Sequence, residues 1–288
     1  MRPSTLKTKV FLDSGSAIDT RTTLDKLGFL DGQTTNPSLI AKSPAAQARL
    51  DNGDKFSSTE VHEFYKQTVS EIRALMPEGS ISIEVYADAD TKAEQMIEQG
   101  TQMNEWIPGA HIKLPTTSEG LKAARHFIDA GVNVNMTLVF SQAQAAAVYA
   151  ATTGAKKGQV FLSPFIGRLD DIGQDGMSLI GNILKMYHMQ GDGHVDVLVA
   201  SVRSMDHFTA SLALGADIIT SPQKFLLEWV EEGMEIPEAF GYNRDDLTTI
   251  PFASYDLDAA PDSFDIHHDL TDKGLKKFAA DWNAMIGE

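Results

Sequence analysis

Residues 132–138 read VNVNMTL, and this stretch indicates how the chain folds. Asn133, Asn135 and Thr137 share one face at a period of two, while apolar side chains occupy the other face. Such alternation is typical of a β-strand. If the apolar face packs on covering helices, the polar groups point to the inner side of a sheet, where each unpaired group costs roughly 1–3 kcal/mol. We therefore expect this face to contact a ligand; the alternative is an internally hydrogen-bonded cluster.

Short β-like runs recur along the chain, separated by longer helical patterns. Eight strands are predicted: KVFLD ending at Asp13, and residues 32–35, 80–86, 111–114, 133–138, 159–163, 196–203 and 216–220. Helical patterns lie between them, as at 58–75 and 176–190, and several end in glycine. Alternating strands and helices predict an α/β fold with a parallel sheet, and eight repeats predict closure into a TIM barrel. An open doubly wound sheet is the alternative, but no glycine-rich fingerprint follows the first strand.

The 288 residues suit one barrel, which typically needs roughly 250. No internal linker divides the chain, so residues 1–288 are predicted to form a single domain. Residues 221–288 add C-terminal helices, at 221–239 and 272–286, that could cover the barrel or a partner, which leaves a homo-oligomer open. The stretch 50–58, LDNGDKFSS, is predicted to be an exposed loop.

Composition limits the classes of function. Hydrophobic residues make up 42% of the chain and charged residues 22%, as in ordinary globular proteins. The net charge of −16 disfavours nucleic acid as a partner. No apolar run approaches the roughly 20 residues of a membrane span, the N-terminus does not resemble a signal peptide, and cysteine is absent. We expect a cytoplasmic protein without a membrane partner, in which any anionic substrate needs a local cationic pocket.

Lys113 lies between Ile112 and Leu114 in the fourth run. A lysine in an apolar strand is seldom structural, because burial disfavours its charge, and only a neutral amine attacks a ketone carbonyl. The position therefore predicts an imine-forming amine; the alternative is a lysine that extends from the strand end to water. Asp13 and Glu84 occupy comparable strand ends and could relay protons, although a lone carboxylate is more often a cap or a solvated group.

Two arginines follow late strands of the predicted barrel. Arg168 comes after the sixth run and Arg203 ends the seventh. Barrels often bind phosphate in this region, and the guanidinium fork matches phosphate geometry. A single surface arginine needs no function, but two of them here on an acidic protein predict an anion site.

Four segments resemble the transaldolase family, in the family's order: TTNPSLI at 34–40, IKLPTTSEGL at 112–121, NMTL at 135–138 followed by Phe140 and Ser141, and SPFIGR at 163–168. The resemblance runs from about Val10 to Pro222, with a looser echo from Gly274 to Trp282. It implies an eight-stranded α/β barrel. It also implies transfer of a dihydroxyacetone unit between sugar phosphates in the pentose phosphate pathway, with sedoheptulose 7-phosphate or fructose 6-phosphate as donor.

The same resemblance implies the site residues. Those implied as catalytic are Lys113, Asp13, Glu84 and Thr137. Lys113 would form a Schiff base, Asp13 would act as general acid and base, and Glu84 with Thr137 would hold a proton-relaying water. Those implied to bind substrate are Asn36, Thr34, Asn135, Ser163, Phe165, Arg168, Ser201 and Arg203. No metal or other cofactor is expected, since the protonated imine acts as the electron sink.

Two positions bear on which branch of the family this chain resembles. Fructose 6-phosphate aldolases tend to carry Tyr where this chain has Phe165, and Gln where it has Glu84. A Tyr hydroxyl there would help to release free dihydroxyacetone, and Phe165 cannot donate a proton, so transfer is predicted. The alternatives are an aldolase-type lyase, an inactive barrel that only binds, and a metal-dependent aldolase, which the sequence disfavours because no His/Glu cluster has plausible ligand spacing.

His111 lies two residues before Lys113 and should share its inward face, where the family usually has an aliphatic side chain. We interpret it as a core histidine with a polar partner such as a neighbouring Asn. The alternative is that an imidazolium at this position tunes the charge of Lys113.

Overall fold

A closed barrel of eight parallel strands forms the centre of the computed structural model, which describes residues 2–239 and 241–287. Its strands are β1 (Lys9–Asp13), β2 (Gly32–Thr34), β3 (Ser80–Glu84), β4 (His111–Pro115), β5 (Asn133–Val139), β6 (Val160–Pro164), β8 (Val195–Val199) and β9 (Ile218–Ser221). Pairing of β1 with β9 closes the barrel. Two short strands outside it, β7 (Gln174–Asp175) and β10 (Thr248–Thr249), pair with each other. The predicted TIM barrel is confirmed.

Helices alternate with the barrel strands and cover them. They are α1 (Ala17–Leu27), α2 (Pro37–Ala41), α3 (Pro44–Asp51), α4 (Ser58–Leu75), α5 (Ala93–Asn104), α6 (Ser118–Asp129), α7 (Gln142–Ala151), α8 (Ile166–Asp170), α9 (Gly176–Gln190), α10 (Met205–Leu214), α11 (Gln223–Glu231) and α12 (Asp269–Met285), with a 3-10 turn at Pro261–Ser263. Ser57, Thr117 and Ser204 cap α4, α6 and α10 by accepting from backbone N–H groups of the first turn. Within the described ranges, no helix has the length and apolar character needed to cross a membrane.

Strand register brings three polar side chains to one level inside the barrel. Glu84 of β3 pairs with Lys113 of β4, and Lys113 pairs with Asn135 of β5. An apolar layer lies on the N-terminal side of this level, where the rings of Phe11 and Phe161 meet at 5.8 Å between centroids. The packed layer closes one end of the barrel, so the polar side chains can be reached only from the C-terminal strand ends.

His111 belongs to this packed layer. Its ring stacks on Phe161 at 3.9 Å between centroids, and its Nε2 atom lies 3.0 Å from the carbonyl oxygen of Gly158. It is therefore a core histidine, but its partner is a backbone carbonyl and not an Asn. Burial lowers the pKa of His111 to about 4, so the ring is neutral near pH 7. A neutral ring stacked in the packed layer argues against the hypothesis of an imidazolium acting on Lys113.

Most predicted boundaries differ from the structure by a few residues, and three differences are larger or change the assignment. The seventh barrel strand ends at Val199, so Arg203 lies in the following loop, and α11 stops at Glu231 and does not reach residue 239. The stretch 50–58 is wrongly predicted as an exposed loop throughout. Its ends belong to α3 and α4, and Phe56 is buried and forms a parallel bridge with Ile286. That contact joins residues far apart in sequence, which local patterns do not reveal.

The C-terminal helix covers its own barrel. Thr271 Oγ1 donates to the carbonyl oxygen of Leu138 at 2.9 Å, and Ser38 of α2 donates to Asp281 of α12. Gly274 lets α12 approach, since a Cβ there would lie 2.5 Å from Leu138 Cδ2. These contacts place α12 across the C-terminal strand ends.

Two helix glycines should respond to alanine in opposite ways. A Cβ on Gly120 in α6 would lie 1.9 Å from the carbonyl oxygen of Pro115, a backbone atom that cannot easily move, whereas a Cβ on Gly181 in α9 meets nothing within 4 Å. We expect Gly120→Ala to lower the free energy of unfolding by about 1–3 kcal/mol. Gly181→Ala should raise it by about 0.5–1 kcal/mol through helix propensity. Urea denaturation measures both, and changes of the same sign would contradict the packing described.

Candidate active site

The amine of Lys113 is buried inside the barrel. The residue is 3% exposed, and its Nζ atom lies 2.9 Å from Glu84 Oε2. Nζ also donates to the backbone carbonyl of Thr35 at 3.3 Å. The alternative of a lysine extending to water is wrong, because the side chain stays within the barrel and faces a carboxylate.

Asp13 ends β1 and is held by a short chain of hydroxyl groups. Thr34 Oγ1 donates to Asp13 Oδ1 at 2.7 Å, and Thr220 Oγ1 lies 2.6 Å from Thr34 Oγ1. Burial raises the pKa of Asp13, although the charge of Lys113 and the Thr34 hydrogen bond oppose the shift. A carboxylate with a raised pKa is a stronger base near neutral pH than an ordinary Asp.

Glu84 and Thr137 each present an oxygen to the barrel interior. Burial also raises the pKa of Glu84, against the opposing charge of Lys113. Apart from the ion pair with Lys113, Glu84 Oε2 has no hydrogen bond within the described structure, and neither has Thr137 Oγ1. Buried polar oxygens are nearly always bonded, so this pair of atoms fits a bound water or substrate group.

Asn135 takes part in an internal polar chain. Its Nδ2 atom donates to Ser82 Oγ at 3.0 Å, and Ser163 Oγ donates to its Oδ1 at 2.6 Å. Asn135 therefore follows the alternative of an internally bonded cluster, while Thr137 on the same face has no hydrogen-bond partner among the described residues, and ligand contact stays a prediction. Asn36 also has a structural role, because its Oδ1 caps α2 by accepting a hydrogen bond from Leu39 N at 2.8 Å.

Most of the predicted site residues surround one pocket at the C-terminal strand ends. Those that line it are Asp13, Thr34, Asn36, Lys113, Ser163, Phe165, Arg168, Ser201 and Arg203. Glu84, Asn135 and Thr137 are buried and do not line it directly. Glu84 contacts Lys113, and Asn135 contacts Ser163, so both are joined to the lining by a single contact.

The two arginines of the pocket differ in their surroundings. The guanidinium carbon of Arg168 lies 5.1 Å from the ring centroid of Phe165 and 5.4 Å from that of Phe278. Both arginines line the same pocket, and burial, followed by the charge of Arg203, lowers the pKa of Arg168. Arg203 is about half exposed and pairs with Asp171, both of whose oxygens lie 2.5 Å from its Nη1. An anion between the two guanidinium groups would relieve their repulsion.

Local backbone geometry explains why the SPFIGR segment has a glycine at position 167. Gly167 faces the loop that carries the second arginine, and a Cβ there would lie 2.4 Å from the carbonyl oxygen of Ser201 and 2.7 Å from Arg203 Cδ. Ser201 itself has a φ of 60°, a left-handed conformation that costs about 1–3 kcal/mol in a residue other than glycine. Strain of this kind is concentrated at functional sites.

Some lining residues were not predicted as site residues. They are Ser38, Leu39, Lys42, Ala200, Thr220, Lys277 and Phe278. Phe278 of α12 lies 5.9 Å from Lys113 Nζ, measured to its ring centroid. The looser resemblance to the family between Gly274 and Trp282 lies on this helix. No local pattern indicated that the helix would lie close to Lys113.

The sequence model of the Transaldolase/Fructose-6-phosphate aldolase family matches residues 10–288, and the chain belongs to that family of aldolase-type enzymes. A probable transaldolase of Dehalococcoides mccartyi is 32% identical over 277 residues, covering 96% of this chain and 99% of the relative. One from Prosthecochloris aestuarii is 41% identical over 214 residues, 74% of this chain and 86% of the relative. One from Alkaliphilus metalliredigens is 34% identical over 278 residues, 96% and 99% respectively.

Burial of Asp13 should lower stability at neutral pH. Because the pKa of Asp13 is raised in the folded state, the folded protein binds the proton more tightly than the unfolded chain, and stability falls as pH rises from the unfolded pKa through the folded one. We expect Asp13→Asn to raise the free energy of unfolding by about 0.5–2 kcal/mol above that range, with a smaller gain in acid.

Urea denaturation at several pH values measures this gain. Asp25→Asn, on the exposed face of α1, is the control and should change stability by less than about 0.5 kcal/mol. A destabilised Asp13→Asn variant would mean that the attraction to Lys113 exceeds the cost of burying the carboxylate.

Proposed function

We propose that this protein is a transaldolase, which moves a dihydroxyacetone unit between sugar phosphates through a Schiff base on Lys113. One observation carries the proposal: a buried amine 2.9 Å from a carboxylate opens on the same pocket as two arginines. The proposed donor is sedoheptulose 7-phosphate and the proposed acceptor glyceraldehyde 3-phosphate, giving erythrose 4-phosphate and fructose 6-phosphate in the pentose phosphate pathway. The relatives named probable transaldolases support this choice within the family.

Imine formation needs a nucleophilic amine and a proton carrier. The Lys113 amine adds to the ketose carbonyl, and the carbinolamine then loses water as the imine forms. Glu84 is the nearest carboxyl group, and burial raises its pKa, so it can accept and return a proton near neutral pH. In this scheme a water held by Glu84 and Thr137, whose oxygens lack other hydrogen bonds, passes the proton.

Carbon–carbon cleavage needs a base at the hydroxyl next to the breaking bond. Asp13 takes that proton as the aldehyde leaves, and the electron pair of the broken bond moves into the protonated imine to give an enamine on Lys113. Addition of the acceptor aldehyde reverses these steps, and Asp13 returns the proton. Thr34 fixes the orientation of the Asp13 carboxylate through its 2.7 Å hydrogen bond.

The arginines supply the anion site that an acidic protein otherwise lacks. Arg168 and Arg203 both line the pocket, together with Ser201, in a chain whose net charge is −16. Phosphate on the donor or on the acceptor would bind here, since both substrates enter the same pocket in turn. We do not expect nucleic acid to bind, because the protein as a whole repels polyanions.

Transfer is proposed over release of free dihydroxyacetone because of Phe165. This side chain packs edge-on against Phe140 at 5.9 Å between centroids and has no hydroxyl group to protonate the enamine. Retention of the enamine until an acceptor arrives is the property that distinguishes a transferase from an aldolase-type lyase.

Borohydride trapping tests the Schiff base. We expect reduction in the presence of fructose 6-phosphate to attach a ketose adduct to Lys113, identified by peptide mass spectrometry. Lys113→Met should lose the adduct and at least about 10³-fold of the activity, because the covalent route is removed. Lys122→Met, at an exposed lysine of α6, should retain both.

An adduct on another lysine, or none from folded protein with several ketose phosphates, would leave the alternatives of an inactive binding barrel or a different substrate. Activity that is lost on addition of a chelator, without an adduct, would indicate the metal-dependent aldolase instead.

Replacement of Phe165 tests the choice between transfer and release. Phe165→Tyr adds a hydroxyl group at the pocket wall, so we expect release of dihydroxyacetone without acceptor to rise about 10-fold or more relative to transfer. The measurement compares product formation from fructose 6-phosphate with and without erythrose 4-phosphate or glyceraldehyde 3-phosphate. Equal rates with and without acceptor in the unchanged protein would contradict the proposed transfer.

A further inference from the structure

A polar cluster around the buried side chain of His207 lies behind the two arginines and has no part in the chemistry above. It consists of Asp170 at the end of α8, His207 in the first turn of α10, and Tyr242 in the segment between α11 and β10. His207 is 3% exposed. Because buried polar groups are costly unless hydrogen-bonded, the contacts of this cluster indicate what it holds in place.

The His207 ring accepts a hydrogen bond from the backbone of Arg203. Arg203 N lies 3.2 Å from His207 Nδ1. A backbone N–H can only donate, so Nδ1 must be the unprotonated nitrogen and Nε2 carries the proton. Nε2 lies 2.8 Å from Asp170 Oδ2 and 2.9 Å from the Tyr242 hydroxyl.

Asp170 selects this form of the ring. Its Oδ1 accepts from Gly176 N at 3.0 Å, and its Oδ2 accepts from the Tyr242 hydroxyl at 2.6 Å as well as from His207. Burial acts to raise the pKa of Asp170, but the hydrogen bonds from His207 and Tyr242 outweigh it and hold that pKa below its usual value. The carboxylate is thus an acceptor only, and it keeps the proton on Nε2.

The cluster also joins the two segments that carry the arginines. Asp170 follows Arg168 by two residues on α8, and His207 follows Arg203 by four residues in the next βα unit. The loop between β8 and α10 contains the strained Ser201, and its conformation persists only if surrounding contacts hold it. The bond from Arg203 N to His207 is such a contact.

We propose that His207 is a positioning residue, which fixes the backbone of Arg203 so that its guanidinium meets the phosphate of the substrate together with Arg168. Asp170 and Tyr242 act through it by setting the orientation and tautomer of its ring. The proposal rests on the proposed function for the identity of the ligand, a phosphate monoester, and extends it to residues outside the pocket.

Three variants separate this role from simple packing. His207→Asn places an amide oxygen near the position of Nδ1 and so keeps an acceptor for Arg203 N, whereas His207→Leu removes it. In Asp170→Asn, the amide oxygen stays with Gly176 N, so the NH₂ group faces Nε2 and forces the proton onto Nδ1, opposite the Arg203 N–H. His188→Asn, at an exposed histidine of α9, is the control.

We expect His207→Leu and Asp170→Asn to weaken binding of inorganic phosphate about 10-fold, measured by calorimetry. The KM for fructose 6-phosphate should rise similarly with kcat within about 2-fold, because the phosphate contact is equal in ground and transition states. His207→Asn and His188→Asn should stay within about 3-fold of the unchanged protein.

Equal losses in His207→Asn and His207→Leu, or a loss in kcat alone, would overturn the proposal, as would unchanged phosphate affinity in folded Asp170→Asn. Failure of the proposed function is a separate outcome: phosphate would bind, and respond to the variants as expected, without transfer or a borohydride adduct. If the unchanged protein does not bind phosphate, the positioning role falls with the anion site.

Discussion

The amine of Lys113 lies inside a barrel, and the surrounding structure must offset the cost of placing it there. Removing a charged group from water costs several kcal/mol even after relaxation. Glu84 lies 2.9 Å away, and the carbonyl oxygen of Thr35 accepts a further hydrogen bond. The partners come from different strands, so the register of the sheet decides whether they meet. A shift of one residue in β3 would turn Glu84 toward the helices and leave the amine without its carboxylate.

The carboxylates of Asp13 and Glu84 are unfavourable for stability and favourable for the proposed chemistry, for one physical reason. Desolvation destabilises the anions of Asp13 and Glu84, which raises the pKa of each despite the nearby lysine. A carboxylate that holds its proton more tightly is a better base at neutral pH, and its acid form is more populated. The packed apolar layer that contains Phe11 and Phe161 closes the other end of the barrel, on the far side from the pocket.

Much of the barrel could be predicted from local sequence, because alternation in strands and the glycine ends of helices are local properties. The placement of Lys113, the two acids and the two arginines followed from the same reasoning, since parallel strands bring their C-terminal ends to one edge, whereas the other candidate residues came from the resemblance to the family. What could not be predicted depends on contacts between distant residues. Phe56 forms a parallel bridge with Ile286, His111 bonds to Gly158, and Phe278 lies near Lys113 from the last helix. No pattern near these positions specifies such partners, and the hydrogen bond that fixes the Arg203 backbone is of the same kind.

The two arginines that line the pocket would supply the proposed anion site of an otherwise acidic protein. Arg168 is held between two aromatic rings and has no carboxylate within ion-pair distance in the part of the chain described. Its charge is therefore free to attract an anion but is unfavourable where it lies. Burial lowers the pKa of Arg168 for the same reason. Arg203 is compensated by Asp171 in a half-exposed pair, and such pairs contribute only about 0–1 kcal/mol. In the proposed function, a phosphate dianion would displace that partner at little cost and at the same time neutralise the guanidinium of Arg168. In the proposed function, Arg168 would thus provide most of the attraction for an anion, while Asp171 offsets part of the charge of Arg203 before the ligand arrives.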